Sequence, residues 1–119
     1  MMQKIVIKHI VLVATSVLLI SLATFSVHGQ EAKPLYEQIG AACHGVSGKG
    51  DGPTGQMLQP KPADFSTALK DKDEAYLTKV IREGGTSVGK SPMMPPYQGV
   101  FNDEQIQGLI QYVKKFASP

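Results

Sequence analysis

The 119-residue chain predicts an all-α fold, a small domain of three to five short helices joined by long Gly/Pro-rich loops. Three observations carry this. Apolar residues recur at helical spacing in Leu35–Ile39, Tyr76–Ile81 and Ile106–Phe116, and no segment reads as a strand. Asp64, Asp71 or Asp73, and Asn102 with Gln105 three residues on, stand where helix N-caps belong. Glycines and prolines crowd residues 45–63 and 86–100, which argues against regular structure there.

In chain order, Lys4 and Lys8 precede an apolar run from Ile10 to Val27, broken only by Thr15, Ser16, Ser21, Thr24 and Ser26. Val27-His28-Gly29 then offers small or modest side chains ahead of a cut before Gln30. Residues 1–29 read as a secretory leader and residues 30–119 as the domain. The competing reading is an uncleaved membrane anchor over residues 10–27, since the run is close to the minimum that spans a bilayer. A first helix is expected from Pro34 to Cys43, with the proline in its first turn. Asp64 caps a turn reaching Leu69, and a second helix carries Tyr76, Leu77, Val80 and Ile81 until Gly84-Gly85 ends it. The last helix starts at Asn102 and presents Ile106, Leu109, Ile110, Val113 and Phe116 on one face.

The formal net charge is +2, but removing the leader takes Lys4 and Lys8 with it and leaves ten Lys and Arg against ten Asp and Glu. A balanced domain gives nucleic acid no basic patch to bind. His9 and His28 also fall in the leader, so His44 is the only histidine left beside Cys43, the only cysteine. A structural zinc site needs four Cys or His ligands, and a Cys-His nucleophile draws its base from elsewhere in the fold. Neither can be assembled from this pair alone, and an internal disulfide is impossible. The chain has no tryptophan, four tyrosines and four phenylalanines, of which Phe25 is in the leader. A domain this small with no disulfide needs another staple, a role that a large apolar cofactor would fill.

A C-x-x-C-H segment attaches c-type haem through two thiols and ligates iron through the histidine. Here Ala42-Cys43-His44 supplies the second half, and Gly40 stands at the position of the first cysteine. With no second histidine in the domain, Met57, Met93 and Met94 are the candidate soft ligands for the other face, and the Met93-Met94 pair sits far along the chain, as a clamp on that face requires.

The segments AACHGVSGKGDGP, PKPADF, IREGG, GKSPMMPPY and QIQGLIQYVKKF, in this order over residues 34–117, resemble those of single-domain class I type c cytochromes of the bacterial periplasm. The likeness is greatest to the branch that includes the haem domains of terminal-oxidase subunits. The resemblance implies a small cytochrome c fold around one haem c. Cys43 would hold the haem covalently through a single thioether, His44 would be the proximal iron ligand and Met94, in its Met-Pro setting, the distal one. Pro53 would offer its carbonyl to the other N–H of His44, and Leu109 and Tyr112 would pack the last helix on the first. Lys49, Lys61 and Lys90 lie in the loops that would rim the haem, and read as solvated lysines.

The expectation is an exported, periplasmic electron carrier in a respiratory chain, or the electron-transfer subunit of an oxidoreductase complex, with no catalysis of its own. Its partners would be redox proteins such as a dehydrogenase, an oxidase or a cytochrome complex, and it would touch a membrane only through a retained leader. Two other readings compete: a haem-binding sensor or weak peroxidase with a labile Met94, and a haem-free interaction module with a free Cys43.

Overall fold

A computed structural model describes residues 28–118. The expected leader lies almost wholly outside them, and among them no helix is long and apolar enough to cross a membrane. Five α-helices follow in order: α1 (His28–Leu35), α2 (Ala41–His44), α3 (Phe65–Ala68), α4 (Glu74–Glu83) and α5 (Asp103–Lys114). A π turn, Tyr36–Gly40, joins α1 to α2 without a break, and short 3-10 turns cover Gly55–Met57, Gly85–Val88 and Lys115–Ala117. The only extended pairing among the described residues is an isolated bridge between Gln98 and Phe101. The small all-α fold is therefore as the sequence predicts.

The first helix departs from expectation. Pro34 is the seventh residue of α1 rather than part of its opening turn. There it withholds an N–H from the helical ladder and crowds the carbonyl four residues back. The widened π turn begins two residues later, at Tyr36, and such turns are one way a helix accommodates an irregularity.

The other helices begin where their caps say. The Asp64 carboxylate accepts from the Ser66 N–H at 2.8 Å, and Asp73, rather than Asp71, accepts from the Tyr76 N–H at 2.8 Å. At the start of α5 the box is reciprocal: the Asn102 side chain accepts from the Gln105 N–H, and the Gln105 side chain accepts from the Asn102 N–H. Gly84 closes α4 at φ +84°, a conformation that costs a residue with a Cβ.

α1 lies along α5, and α4 packs on α5 from another side. The shared core is Tyr36, Ala41, Leu77, Ile81, Ile106, Leu109, Ile110 and Val113, contributed entirely by the helices and the π turn. Each fully buried isoleucine of α5, Ile106 and Ile110, stabilises the fold by roughly 2 kcal/mol. Arg82 of α4 pairs with Asp103, and the Glu74 carboxylate accepts from the Gln111 side chain at 2.6 Å and from Lys114 at 3.4 Å. Both ends of α4 are thereby tied to α5. Gln111 first, then Lys114, holds the Glu74 carboxyl below its ordinary value.

Two outcomes test this frame. Ile110→Ala is expected to cost about 3 kcal/mol and Asn102→Ala about 1 kcal/mol in urea denaturation, because the first opens a cavity in the core and the second only removes a cap. Since the Glu74 pKa is lower folded than unfolded, its contribution is present above the unfolded pKa and fades as pH falls through the folded one. Glu74→Gln should therefore be less stable than the parent near neutrality, and the gap should close as the pH falls through the folded pKa, read as the difference in urea midpoints.

Candidate functional site

The site is built on the C-terminal end of α2. A helix end leaves carbonyls without partners, and here the following loop folds back to satisfy them. The Gly45 N–H donates to Ala41, the Thr54 N–H to Ala42 and the Gly50 N–H to His44, at 2.9, 2.9 and 2.8 Å. The approach is so close that only glycine serves at the contact points. A Cβ on Gly55 would lie 2.0 Å from the Cys43 carbonyl oxygen, and one on Gly52 would lie 2.4 Å from those of Ala41 and Ala42. The Tyr36 hydroxyl locks the turn from within, donating to the Gly45 carbonyl at 2.7 Å. Burial pushes that phenol well above its ordinary pKa, so it stays a donor.

The second loop is fastened to the end of α4 in the same manner. The Gly85 N–H donates to the Met94 carbonyl, the Tyr97 N–H to Ile81 and the Gln98 N–H to Arg82, each at 2.9 Å. Met94 is held half-buried against Gly85, whereas the neighbouring Met93 is 57% exposed and Met57, in the first loop, is 77% exposed. Tyr97 stacks on Phe101 with ring centroids 4.9 Å apart. Its phenol is pushed up chiefly by burial and secondarily by the Cys43 sulfur.

His44 closes α2 with its ring stacked on Phe65, centroids 4.5 Å apart and planes inclined by 26°. Its Nδ1 is buried and has no hydrogen-bond partner. The bond to the Pro53 carbonyl that the resemblance implies is thus not formed; Pro53 is exposed and the imidazole lies against Phe65 instead. Burial lowers the His44 pKa and favours the neutral ring, the form that binds metal. At Gly40, a Cβ would lie 2.7 Å from Cδ2 of Tyr36, so a thiol at that position would have to displace a buried ring. Tyr112 meets Tyr36 at 5.2 Å between centroids and Leu109 is buried in the core, which joins the last helix to the first.

The residues present suit a large apolar group. In residues 45–63 and 84–101 the only buried residues are glycines. The loop backbones are closed tightly by hydrogen bonds, yet Val46, Met57, Met93 and Val100 stay 57–77% exposed. Loops in that condition are pre-formed around something other than their own side chains. Cys43 and His44 stand together at the end of α2, with Nδ1 of His44 buried: a thiol that could bond a porphyrin edge, an imidazole that could ligate iron, and, on the second loop, the Met94 thioether, a type of ligand that haem iron also accepts. Among the described residues no three His, Cys, Asp or Glu side chains converge as a metal cluster of their own.

Sequence reasoning named Cys43, His44 and Met94 and passed over Tyr36 and Phe65, which bond to Gly45 and stack on His44. Phe65 follows a capping aspartate in PADF and opens α3, and that cap was the available signal.

No curated protein and no solved structure matches the chain. A family model does: the one described as cytochrome c oxidase, cbb3-type, subunit III matches residues 28–113, from the start of α1 to the last turn of α5, and so takes in both loops. The chain therefore belongs to this cytochrome c family, and its role is that of a haem-based electron carrier related to the haem domains of terminal oxidases.

Proposed function

We propose that the chain is an exported, periplasmic electron-transfer protein that holds one haem c through a single thioether at Cys43, with His44 and Met94 as axial ligands, and exchanges electrons with the redox proteins of a respiratory chain. When bound, the haem supplies a one-electron ferric/ferrous couple. The observation that carries the reading is that both loops fully bury nothing but glycine while Val46, Met57, Met93 and Val100 stay uncovered. Assembly with a cbb3-type oxidase is the natural setting, given the family to which the chain belongs.

Each residue has a part in this. His44 offers a neutral imidazole at a helix end whose carbonyls are already satisfied, so the ligand is presented without a competing local bond. Met94 is favoured over Met93 because its backbone is pinned at Gly85 and its side chain is half-buried; a pinned thioether resists loss during redox change. The uncovered Val46, Met57, Met93 and Val100 would exclude water from the group they enclose, and a dry, thioether-ligated iron sits at a higher potential than a bis-imidazole one. The glycine at position 40 leaves Cys43 as the sole point of covalent attachment. Residues 1–29 would direct export.

The decisive experiment is intact mass under denaturation together with a pyridine haemochrome spectrum of the exported protein. The expected result is one haem mass retained and an absorption band between those of two-thioether and unattached haem; a colourless, stably helical protein would refute the reading. Cys43→Ser should abolish the covalent mass while leaving the helices intact by circular dichroism. Met94→Ala should remove the sulfur-to-iron charge-transfer band and open the iron to cyanide, whereas Met93→Ala should preserve both the band and the resistance.

A further inference from the structure

The second loop carries two adjacent methionines, and its hydrogen bonds treat them differently. Ser91-Pro92-Met93-Met94 is a four-residue turn in which the Met94 N–H donates to the Ser91 carbonyl at 3.3 Å. Serine in the first position and proline in the second are residues that such turns favour. The Ser91 hydroxyl tightens the turn by accepting from the Met93 N–H at 3.2 Å. Met93 is thereby left exposed within the turn, while the half-buried Met94 closes it.

The turn is seated on Gly85. The Gly85 N–H donates to the Met94 carbonyl at 2.9 Å, and the Gly85 carbonyl accepts from the N–H of Lys90, just ahead of the turn, at 2.8 Å. Both flanks of the turn therefore end on one residue. The fit leaves no room for a side chain there: a Cβ on Gly85 would lie 2.2 Å from the Ser91 carbonyl oxygen and 3.1 Å from Cβ of Met94. That oxygen is the one that holds the Met94 N–H, so whatever moves it moves Met94. Gly85 is not left-handed, and what it supplies is space. Gly89, in the same loop, is the reverse case: its φ is +71°, yet a Cβ on it would meet nothing within 4 Å.

We propose that Gly85 and Ser91 are positioning residues for Met94: the Ser91 turn brings the second methionine, not the first, to its closing end, and Gly85 seats that end so that the Met94 thioether is the one delivered to haem iron. Delivery to iron rests on the haem reading given above, and the seat rests on the geometry alone. Alanine at position 85 displaces the Ser91 carbonyl and unseats Met94. Alanine at position 89 strains the backbone and displaces nothing.

The test compares the exported parent with Gly85→Ala, Gly89→Ala, Ser91→Ala and Ser91→Thr, each first checked for haem by intact mass and for helix by circular dichroism. Gly85→Ala is expected to lose the sulfur-to-iron charge-transfer band and to bind cyanide. Gly89→Ala is expected to unfold at lower urea but to keep both the band and the resistance. Ser91→Ala should bind cyanide roughly fivefold faster than the parent, the effect of one neutral hydrogen bond, and Ser91→Thr, which keeps the hydroxyl, should match the parent. A full band with cyanide resistance in Gly85→Ala would overturn the proposal, as would equal losses in Gly85→Ala and Gly89→Ala. Equal cyanide rates in Ser91→Ala and the parent would overturn the part given to Ser91. Amide exchange in the parent tests the seat with no variant and with or without haem: the Gly85 and Met94 N–H groups should exchange at least about tenfold more slowly than in an unstructured peptide, and peptide-like rates overturn it. A parent without haem, or with haem and no such band, refutes the haem reading and the delivery that rests on it, and the exchange rates then decide the seat.

Discussion

The structure depends on backbone meeting backbone at the end of α2. Three carbonyls there are satisfied by N–H groups of the loop that follows, and the contact is too close for any side chain at Gly52 or Gly55. Buried peptide groups must be paired, and a helix end is where they most often go unpaired. Here one loop answers that need and in doing so presents His44 and Cys43 together at a fixed helix end. Were the loop to lift away, the carbonyls would lose their partners and the His44 turn would lose its shape with them.

The molecule divides its labour between two kinds of packing. The helices bury side chains against each other, with Tyr36, Leu77, Ile81, Ile106, Leu109, Ile110 and Val113 at the centre. The loops fully bury only glycines, half-bury Met94, Tyr97 and Phe101, and leave Val46, Met57, Met93 and Val100 uncovered. A frame of the first kind can stand while the second kind is completed by a group that the chain does not make. The ion pairs follow the same division: Lys33–Glu37, Lys79–Glu83, Arg82–Asp103 and Lys114–Glu74 all lie on helices or their ends. They are largely exposed and contribute little each.

Much of this was legible in the sequence. Asp64, the Asp71–Asp73 pair, Asn102 and Gln105 announced their helices because capping is local chemistry, settled within three residues, though which aspartate of the pair caps α4 was left to the structure. The apolar face of α5 was legible for the same reason, since its period is its own. The course of the first helix was not. Pro34 reads as a helix start, and what overrides that preference is the packing of α1 along α5, a contact between segments some seventy residues apart. The π turn and the stacking of Phe65 on His44 were equally hidden, for both depend on distant partners, Tyr112 and Phe116 among them. Cys43, His44 and Met94 could be named as candidates from the sequence; the aromatic rings that pack around His44 could not.

The π turn between α1 and α2 also sets the rotation of one helix against the other. A turn of this kind takes up one residue more than an α turn, and an α-helix rotates about 100° for each residue. Tyr36–Gly40 therefore works as a phase shifter between two helical stretches, so that the face α1 turns toward α5 and the face on which Cys43 and His44 project are set independently. Removing one residue there would keep Cys43 and His44 and yet swing them about a quarter-turn relative to α1 and the core it packs on.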